Sequence, residues 1–233
     1  MKRMFFIDGG HPPYINIKET SYAYVSSYSE FLMSHIPQLK NCVVCDYGAG
    51  TGILGITAFS MGASKIYGIE INRDSLQLAK DNIANNAELA KFDLLNSSKN
   101  NCINDVSFDY IFCNPASLPD IVGSDSFYNG GKLGIDMIKE VIEFSSTNLK
   151  NDGHLYILIT NILPVSPVFN LISEKGLNCR IVDSMLLPFR VHYKNIKSWV
   201  DNLQPTYPEM RYLIRNNVLY EEVVLYDIQK RGV

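Results

Sequence analysis

Three glycines spaced two apart follow an apolar run, Cys42 to Asp46, and lead into a helical pattern, Thr51 to Met61. The segment reads Asp46-Tyr47-Gly48-Ala49-Gly50-Thr51-Gly52-Ile53-Leu54-Gly55. Glycine adopts backbone angles closed to other residues and lets a ligand approach the main chain. The helix that follows offers unpaired N–H groups and a partial positive charge at its start. A strand, a tight turn and a helix in that order open an α/β sheet, and a ligand bearing oxygen or negative charge is expected at the turn. The next apolar run ends at Glu70, near the spacing of ~20 residues at which an acid holds ribose hydroxyls.

The alternation continues along the chain. Strands are expected at Cys42 to Asp46, Lys65 to Glu70, Ala87 to Phe92, Phe108 to Cys113, His154 to Thr160, Asn178 to Ser184 and Glu221 to Asp227. Helices are expected at Thr51 to Met61, Arg73 to Asn85, Leu133 to Asn148 and Ser166 to Lys175. This pattern predicts a Rossmann-like α/β fold, a seven-stranded, mostly parallel sheet with helices on both faces. Two regions fall outside it. Residues 1–40, with Gly9 to Pro13 and a helix at Ser27 to Ile36, read as an N-terminal cap packed over the sheet edge. Residues 41–233 form the main domain, with a lid-like segment inserted at 190–215.

Composition narrows the partners. The 233 residues are 46% hydrophobic, enough for one sizeable core. With 21 Lys+Arg against 24 Asp+Glu the net charge is −3, which argues against a broad basic face for nucleic acid. The 190–215 segment is locally basic and suits either a lid or a dock for an acidic partner. No run approaches a membrane span and the first residues carry no leader pattern, so a cytoplasmic protein is expected. Five cysteines are scattered (Cys42, Cys45, Cys102, Cys113, Cys179). Cys42 and Cys45 lie in one strand, three apart and so on opposite faces, with no second pair to complete a zinc set. No metal is expected.

The dinucleotide pattern G-x-G-x-x-G would need glycine at position 53, where Ile53 stands. The pattern present, G-x-G-x-G preceded by Asp46, resembles the first motif of class I S-adenosylmethionine-dependent methyltransferases. Ile66-Tyr67-Gly68-Ile69-Glu70-Ile71-Asn72 resembles the second motif, and Phe92-Asp93 the acid that meets the adenine amino group. The resemblance implies that Asp46, Gly48, Gly50 and Gly52 line the cofactor and that Glu70 binds both ribose hydroxyls. Ile71 would pack on adenine, and Asp93 would accept from its N6 group.

Phe108-Asp109-Tyr110-Ile111-Phe112-Cys113-Asn114-Pro115-Ala116-Ser117 puts Asn-Pro at the carboxyl end of a buried strand, where open α/β sheets bind ligands. It resembles the Asn-Pro-Pro-Tyr motif of methyltransferases acting on a planar amino or amide nitrogen. Asn114 and the Pro115 carbonyl would accept the two N–H groups of the acceptor, and Asn114 would also border the cofactor. Phe127-Tyr128-Asn129-Gly130-Gly131-Lys132-Leu133-Gly134-Ile135-Asp136 resembles a Gly-Gly-x-x-Gly stretch of the HemK family of protein-glutamine N-methyltransferases. Glu19-Thr20 is similar to an acid-Thr pair upstream in that family, so the resemblance runs from about Glu19 to Leu187. It departs at Ala116 and Ser117, which stand where the motif has proline and an aromatic. The ring that would stack on a flat acceptor is missing. Phe127, Tyr128 and Trp199 are candidates to replace it, with Thr20 a further acceptor-side candidate.

The resulting expectation is an S-adenosylmethionine-dependent N-methyltransferase. Its acceptor would be a protein glutamine side chain or a small metabolite, with a nucleobase third. Of the four histidines, His11 and His192 are candidates to assist proton removal, while His35 and His154 read as structural. A non-catalytic cofactor-binding module or sensor is the alternative. A nicotinamide oxidoreductase is conceivable on fold alone, and Ile53 speaks against it.

Overall fold

The structure, a computed structural model, describes residues 1–97, 103, 106–120, 129–189 and 193–230. Its central sheet holds β3 (Val43–Tyr47), β4 (Lys65–Glu70), β5 (Phe92–Asn96), β6 (Phe108–Cys113), β7 (Leu149–Thr160), β8 (Leu177–Pro188) and β10 (Val218–Lys230). The strand order is β5-β4-β3-β6-β7-β10-β8, and short β9 (Leu213–Arg215) adds to β10. Strands β5, β4, β3, β6 and β7 run parallel, while β10 lies antiparallel between β7 and β8. From β3 the chain moves outward through β4 and β5, then returns to lay β6 on the other side. In open α/β sheets ligands bind outside the carboxyl ends of the strands at such a reversal, which here are the ends of β3, β4 and β6.

Side-chain alternation along the strands divides the core into two layers. Cys45, Ile111 and Ile157 face one side, and pack with Ile138, Val141 and Ile142 of α4 (Asp136–Asn148) and Val168 and Ile172 of α5 (Ser166–Glu174). Val44, Ile66 and Leu158 face the other. They meet Ile53, Leu54 and Ile56 of α2 (Ile53–Ser60), Ile83 of α3 (Arg73–Asn86) and Leu32 of α1 (Ser27–Met33). Phe108, Phe112 and Phe144 are among the largest fully buried side chains. Burying each contributes roughly 1.5–3 kcal/mol. Helix α3 starts where Asn72 caps the Ser75 N–H at 2.8 Å, with Asp74 in its first turn.

The third strand corrects the sequence-based expectation. Ala87 still closes α3, its N–H bonded to the Ile83 carbonyl, and Leu89–Lys91 form a single 3-10 turn. The strand therefore occupies Phe92–Asn96, about one helical turn later than the apolar pattern indicated.

Residues 1–40 also hold more structure than expected. Strands β1 (Lys2–Phe6) and β2 (Tyr14–Lys18) form an antiparallel hairpin. It is tied to α3 by Asn82 and Asn86, which bond the backbone of Lys18 and Asn16. Helix α1 crosses to the other end of the same face, where Tyr28 meets Glu221 of β10 and His35, just past the helix, meets Asp183 of β8. The segment thus straps a whole face rather than capping one edge.

Within 190–215, α6 (Tyr193–Leu203) buries Ile196 and Val200, one turn apart, and Met210 follows them into the core. Arg190 and His192 lie outside the described residues. Among the described residues no helix is long and apolar enough to cross a membrane. Nor do any gather three or more His, Cys, Asp or Glu able to hold a metal ion.

Candidate active site

The glycine turn begins where β3 ends. Gly48, Gly50 and Gly52 have φ of 80°, 53° and 79°, left-handed values that strain a side-chain-bearing residue. The N–H groups of Gly48 and Ala49 both donate to the Ile69 carbonyl at 2.9 Å, fastening the turn to the end of β4. Glu70 completes the join. One carboxylate oxygen accepts the Gly50 N–H at 2.8 Å and the other accepts the Asn72 N–H at 2.8 Å. Each oxygen has a further lone pair for a hydroxyl donor. Ile71 beside it is 66% exposed, an apolar side chain facing solvent next to Glu70.

Asp46 lies beneath the turn and is 1% exposed. One oxygen accepts the Gly55 N–H at 2.9 Å, while the other is buried with no partner among the described residues. Burial pushes its pKa up to about 7, with the nearby Glu70 charge adding to the rise and the Gly55 N–H opposing it.

Asn114 stands half-buried at the end of β6, directly followed by buried Pro115. Its side-chain NH2 donates to Ser29 Oγ at 3.0 Å and lies 3.5 Å from Ser26 Oγ. The amide nitrogen is thereby held on the α1 side. Among the described residues no group donates to the Asn114 carbonyl oxygen, which remains an acceptor. Ser26 is also the N-cap of α1, accepting the Ser29 N–H at 3.2 Å.

The Asn-Pro-Ala-Ser loop is packed against the Gly-Gly-x-x-Gly stretch. A Cβ on Gly130 would stand 2.8 Å from the Ala116 carbonyl oxygen, and one on Gly134 would stand 2.6 Å from that of Ser117. Gly130 donates its N–H to the Leu118 carbonyl at 2.7 Å. From the first turn of α4, Met137 Sδ accepts the Ala116 N–H at 3.2 Å. Its methyl group lies against Gly48, 2.7 Å from where a Cβ would stand. Met137 therefore touches both the glycine turn and the acceptor loop.

The structure brings together Asp46, Gly48, Gly50, Gly52, Glu70, Ile71, Asn114 and Pro115. It does not bring Asp93 to them. Asp93 pairs with Tyr67, three residues before the Glu70–Asn96 pair that ends β4 and β5. At ~3.3 Å per residue it sits ~10 Å back along the strand. Its carboxylate is bound to Lys65 at 2.8 Å. The residue in register with Glu70 is Asn96, whose NH2 donates to the Glu70 and Ile71 carbonyls at 2.9 and 2.8 Å.

Thr20 closes a local turn with Ala23, and Trp199 packs into the core layer of α4 and α5. No hydrogen bond or ring contact among the described residues joins either to Asn114. His11 donates its backbone N–H to the carbonyl of Ser60 at the end of α2, remote from the glycine turn that begins that helix. Phe127, Tyr128 and His192 lie outside the described residues. Sequence reasoning missed Ser26, Ser29 and Met137. The serine pair did carry a signal, a cap residue, Ser26, ahead of a short helical stretch that ends in the apolar Leu32 and Met33.

Comparison with known proteins places this geometry. Residues 21–184 match the family described as Methyltransferase small domain. Glu19 and Thr20 fall just outside that match. A relative from Methanocaldococcus jannaschii, named "Putative protein N5-glutamine methyltransferase", is 30% identical over 170 residues, covering 69% of this chain and 83% of its own. The ribosomal protein L11 methyltransferase of Laribacter hongkongensis is 32% identical over 97 residues, covering 42% of this chain and 33% of its own. Among solved structures, the precorrin-6y C5,15-methyltransferase of Geobacter metallireducens superposes with a TM-score of 0.58 at 14% identity, covering 92% of this chain and 94% of that one. A ribosomal protein L11 methylase from Lactobacillus delbrueckii gives 0.53 at 17% identity, covering 88% and 78%. The structural likenesses establish the shared fold.

Proposed function

Because this chain belongs to the methyltransferase small domain family and is an S-adenosylmethionine-dependent methyltransferase, we propose that it methylates a nitrogen, the side-chain amide of a protein glutamine. The observation that carries the reading is Asn114, whose NH2 is tied to Ser29 so that its carbonyl oxygen serves the acceptor. With the Pro115 carbonyl it presents two acceptors to the two N–H groups of a planar amide. Holding that nitrogen in line with the donor carbon accounts for most of the rate.

The residues present fit the cofactor. Glu70 is pre-oriented by two backbone N–H groups and offers both oxygens to a ribose diol. Ile71 supplies an apolar surface for the base, and the glycine turn admits an amino-acid tail. When bound, the cofactor supplies a methyl group on a cationic sulfur. Asn114 and the Pro115 carbonyl would hold the acceptor nitrogen facing that methyl group, and the proton displaced from the nitrogen would pass to solvent.

The protein-glutamine acceptor draws on the Methanocaldococcus jannaschii relative, which this chain covers over most of its length. Ala116 and Ser117 leave that motif without its own stacking ring, and Met137 Sδ accepts the Ala116 N–H beside it. The family and that relative favour an enzyme over a non-catalytic module. For the described part of the 190–215 segment, 193–215, the same reading makes it a wall beside the acceptor rather than a free lid. It supports this that the Arg211 N–H is bonded at 2.9 Å to the Asn161 carbonyl, just past the carboxyl end of β7.

The test is mass spectrometry of a cell extract incubated with the enzyme and methyl-labelled S-adenosylmethionine. A protein glutamine carrying the label supports the reading, with Asn114→Ala abolishing transfer. Label found only on small metabolites or nucleic acid overturns the acceptor.

A further inference from the structure

The glycine turn, Glu70 and the Asn-Pro loop leave the buried carboxylate of Glu221 without a role. Glu221 in β10 is 4% exposed. One of its oxygens accepts the Tyr28 hydroxyl and the other accepts Thr160 Oγ1 at 2.5 Å. Thr160 ends β7, the strand beside the one that ends at Asn114. Tyr28 and Ser29 are consecutive in α1, and Ser29 is the residue that holds the Asn114 NH2. Three strand ends and a helix therefore meet in one polar seam, running from Glu221 through Tyr28 and Ser29 to Asn114.

We infer that Glu221 is a positioning residue for methyl transfer, setting the seat of α1 and through it the orientation of the Asn114 amide. The inference rests on the acceptor role proposed for Asn114. A carboxylate suits the task because it only accepts, so both hydroxyls must turn toward it. Its two partners come from separate elements, which fixes α1 against β7 and β10 together. A buried charge is an expensive way to hold a helix, since apolar packing of equal volume is often as stable or more so. What the carboxylate adds is direction, passed one residue along the helix to Ser29. Glutamine has nearly the same shape but offers one acceptor oxygen, so one hydroxyl must turn away.

The experiment compares Glu221→Gln with Asp183→Asn, which neutralises the partner of His35 at the far end of α1. Four quantities are read: cofactor affinity by calorimetry, the kcat and the KM for the acceptor, and the side-chain NH2 resonances of Asn114 by NMR. Glu221→Gln is expected to shift the Asn114 resonances and lower kcat about tenfold, the scale of one hydrogen bond to a charged group, with cofactor affinity and KM held within about twofold. Asp183→Asn is expected to leave the resonances and kcat in place. Unmoved Asn114 resonances in Glu221→Gln, or equal kcat losses in both variants, overturn the inference. If the wild type methylates no amide, the acceptor reading fails while the NMR comparison still decides the role of Glu221. Should Glu221→Gln not fold, Tyr28→Phe removes one donor and is read in the same way.

Discussion

Glu70 accepts the Gly50 N–H at 2.8 Å, so the carboxylate ending one strand is fastened to the turn ending its neighbour. The acid is oriented before any ligand arrives. Glu70→Gln keeps one acceptor oxygen and loses the second, and is expected to weaken S-adenosylmethionine binding about ten- to hundredfold. Asp93→Asn, on the salt bridge to Lys65, is expected to leave affinity within about twofold. Calorimetry on both variants checks the pair, and equal losses would return Asp93 to the site.

Asp46 makes stability depend on pH. Its pKa in the folded chain, about 7, exceeds its ordinary 3.8, so between those values the folded state binds more protons than the unfolded one. The stability contributed by this group is therefore fully present below the lower value and declines as pH rises toward the upper one. Asp46→Asn keeps the Gly55 N–H acceptor and removes the titration, so it is expected to flatten that decline. Urea unfolding of both proteins from about pH 5 to pH 8 provides the check, and parallel curves would contradict it.

Gly130 and Gly134 are where the acceptor loop comes nearest to the segment before α4. Gly134→Ala places a methyl 2.6 Å from the Ser117 carbonyl oxygen at a φ of 73°. The expected cost is about 1–3 kcal/mol of stability. Loss of turnover is expected with cofactor affinity kept, because the glycine turn and Glu70 lie on other strands. Thermal unfolding and calorimetry together distinguish this from general collapse, which would lower both.

Ser29→Ala releases the Asn114 NH2 from its 3.0 Å partner. Turnover is expected to fall about tenfold at unchanged cofactor affinity. Steady-state kinetics beside a binding isotherm measure both, and a selective loss of cofactor binding would contradict the assignment.

The glycine turn and Glu70 were legible because their signal is local: a strand, a turn, a helix and an acid at fixed spacing. Asp93 was misread for the same reason. Once the strand is taken as Ala87 to Phe92, Asp93 falls at its end, whereas the 3-10 turn at Leu89–Lys91 moves the strand on and leaves Asp93 near its start. The hairpin was available in the alternation of buried Ile15 and Ile17 with exposed Tyr14, Asn16 and Lys18, but short strands beside Gly9 to Pro13 resemble a loop. Ser29 meets Asn114 across 85 residues, and a serine in a polar stretch carries no periodicity that announces such a contact. Met137 was hidden differently, since a methionine in a helical pattern reads as core.

A crystal structure with S-adenosylhomocysteine tests the central claim most directly. The expected result places both ribose hydroxyls on Glu70 and the sulfur toward the Asn114 carbonyl oxygen. A ligand bound away from Glu70, or one whose sulfur points away from Asn114, would contradict it.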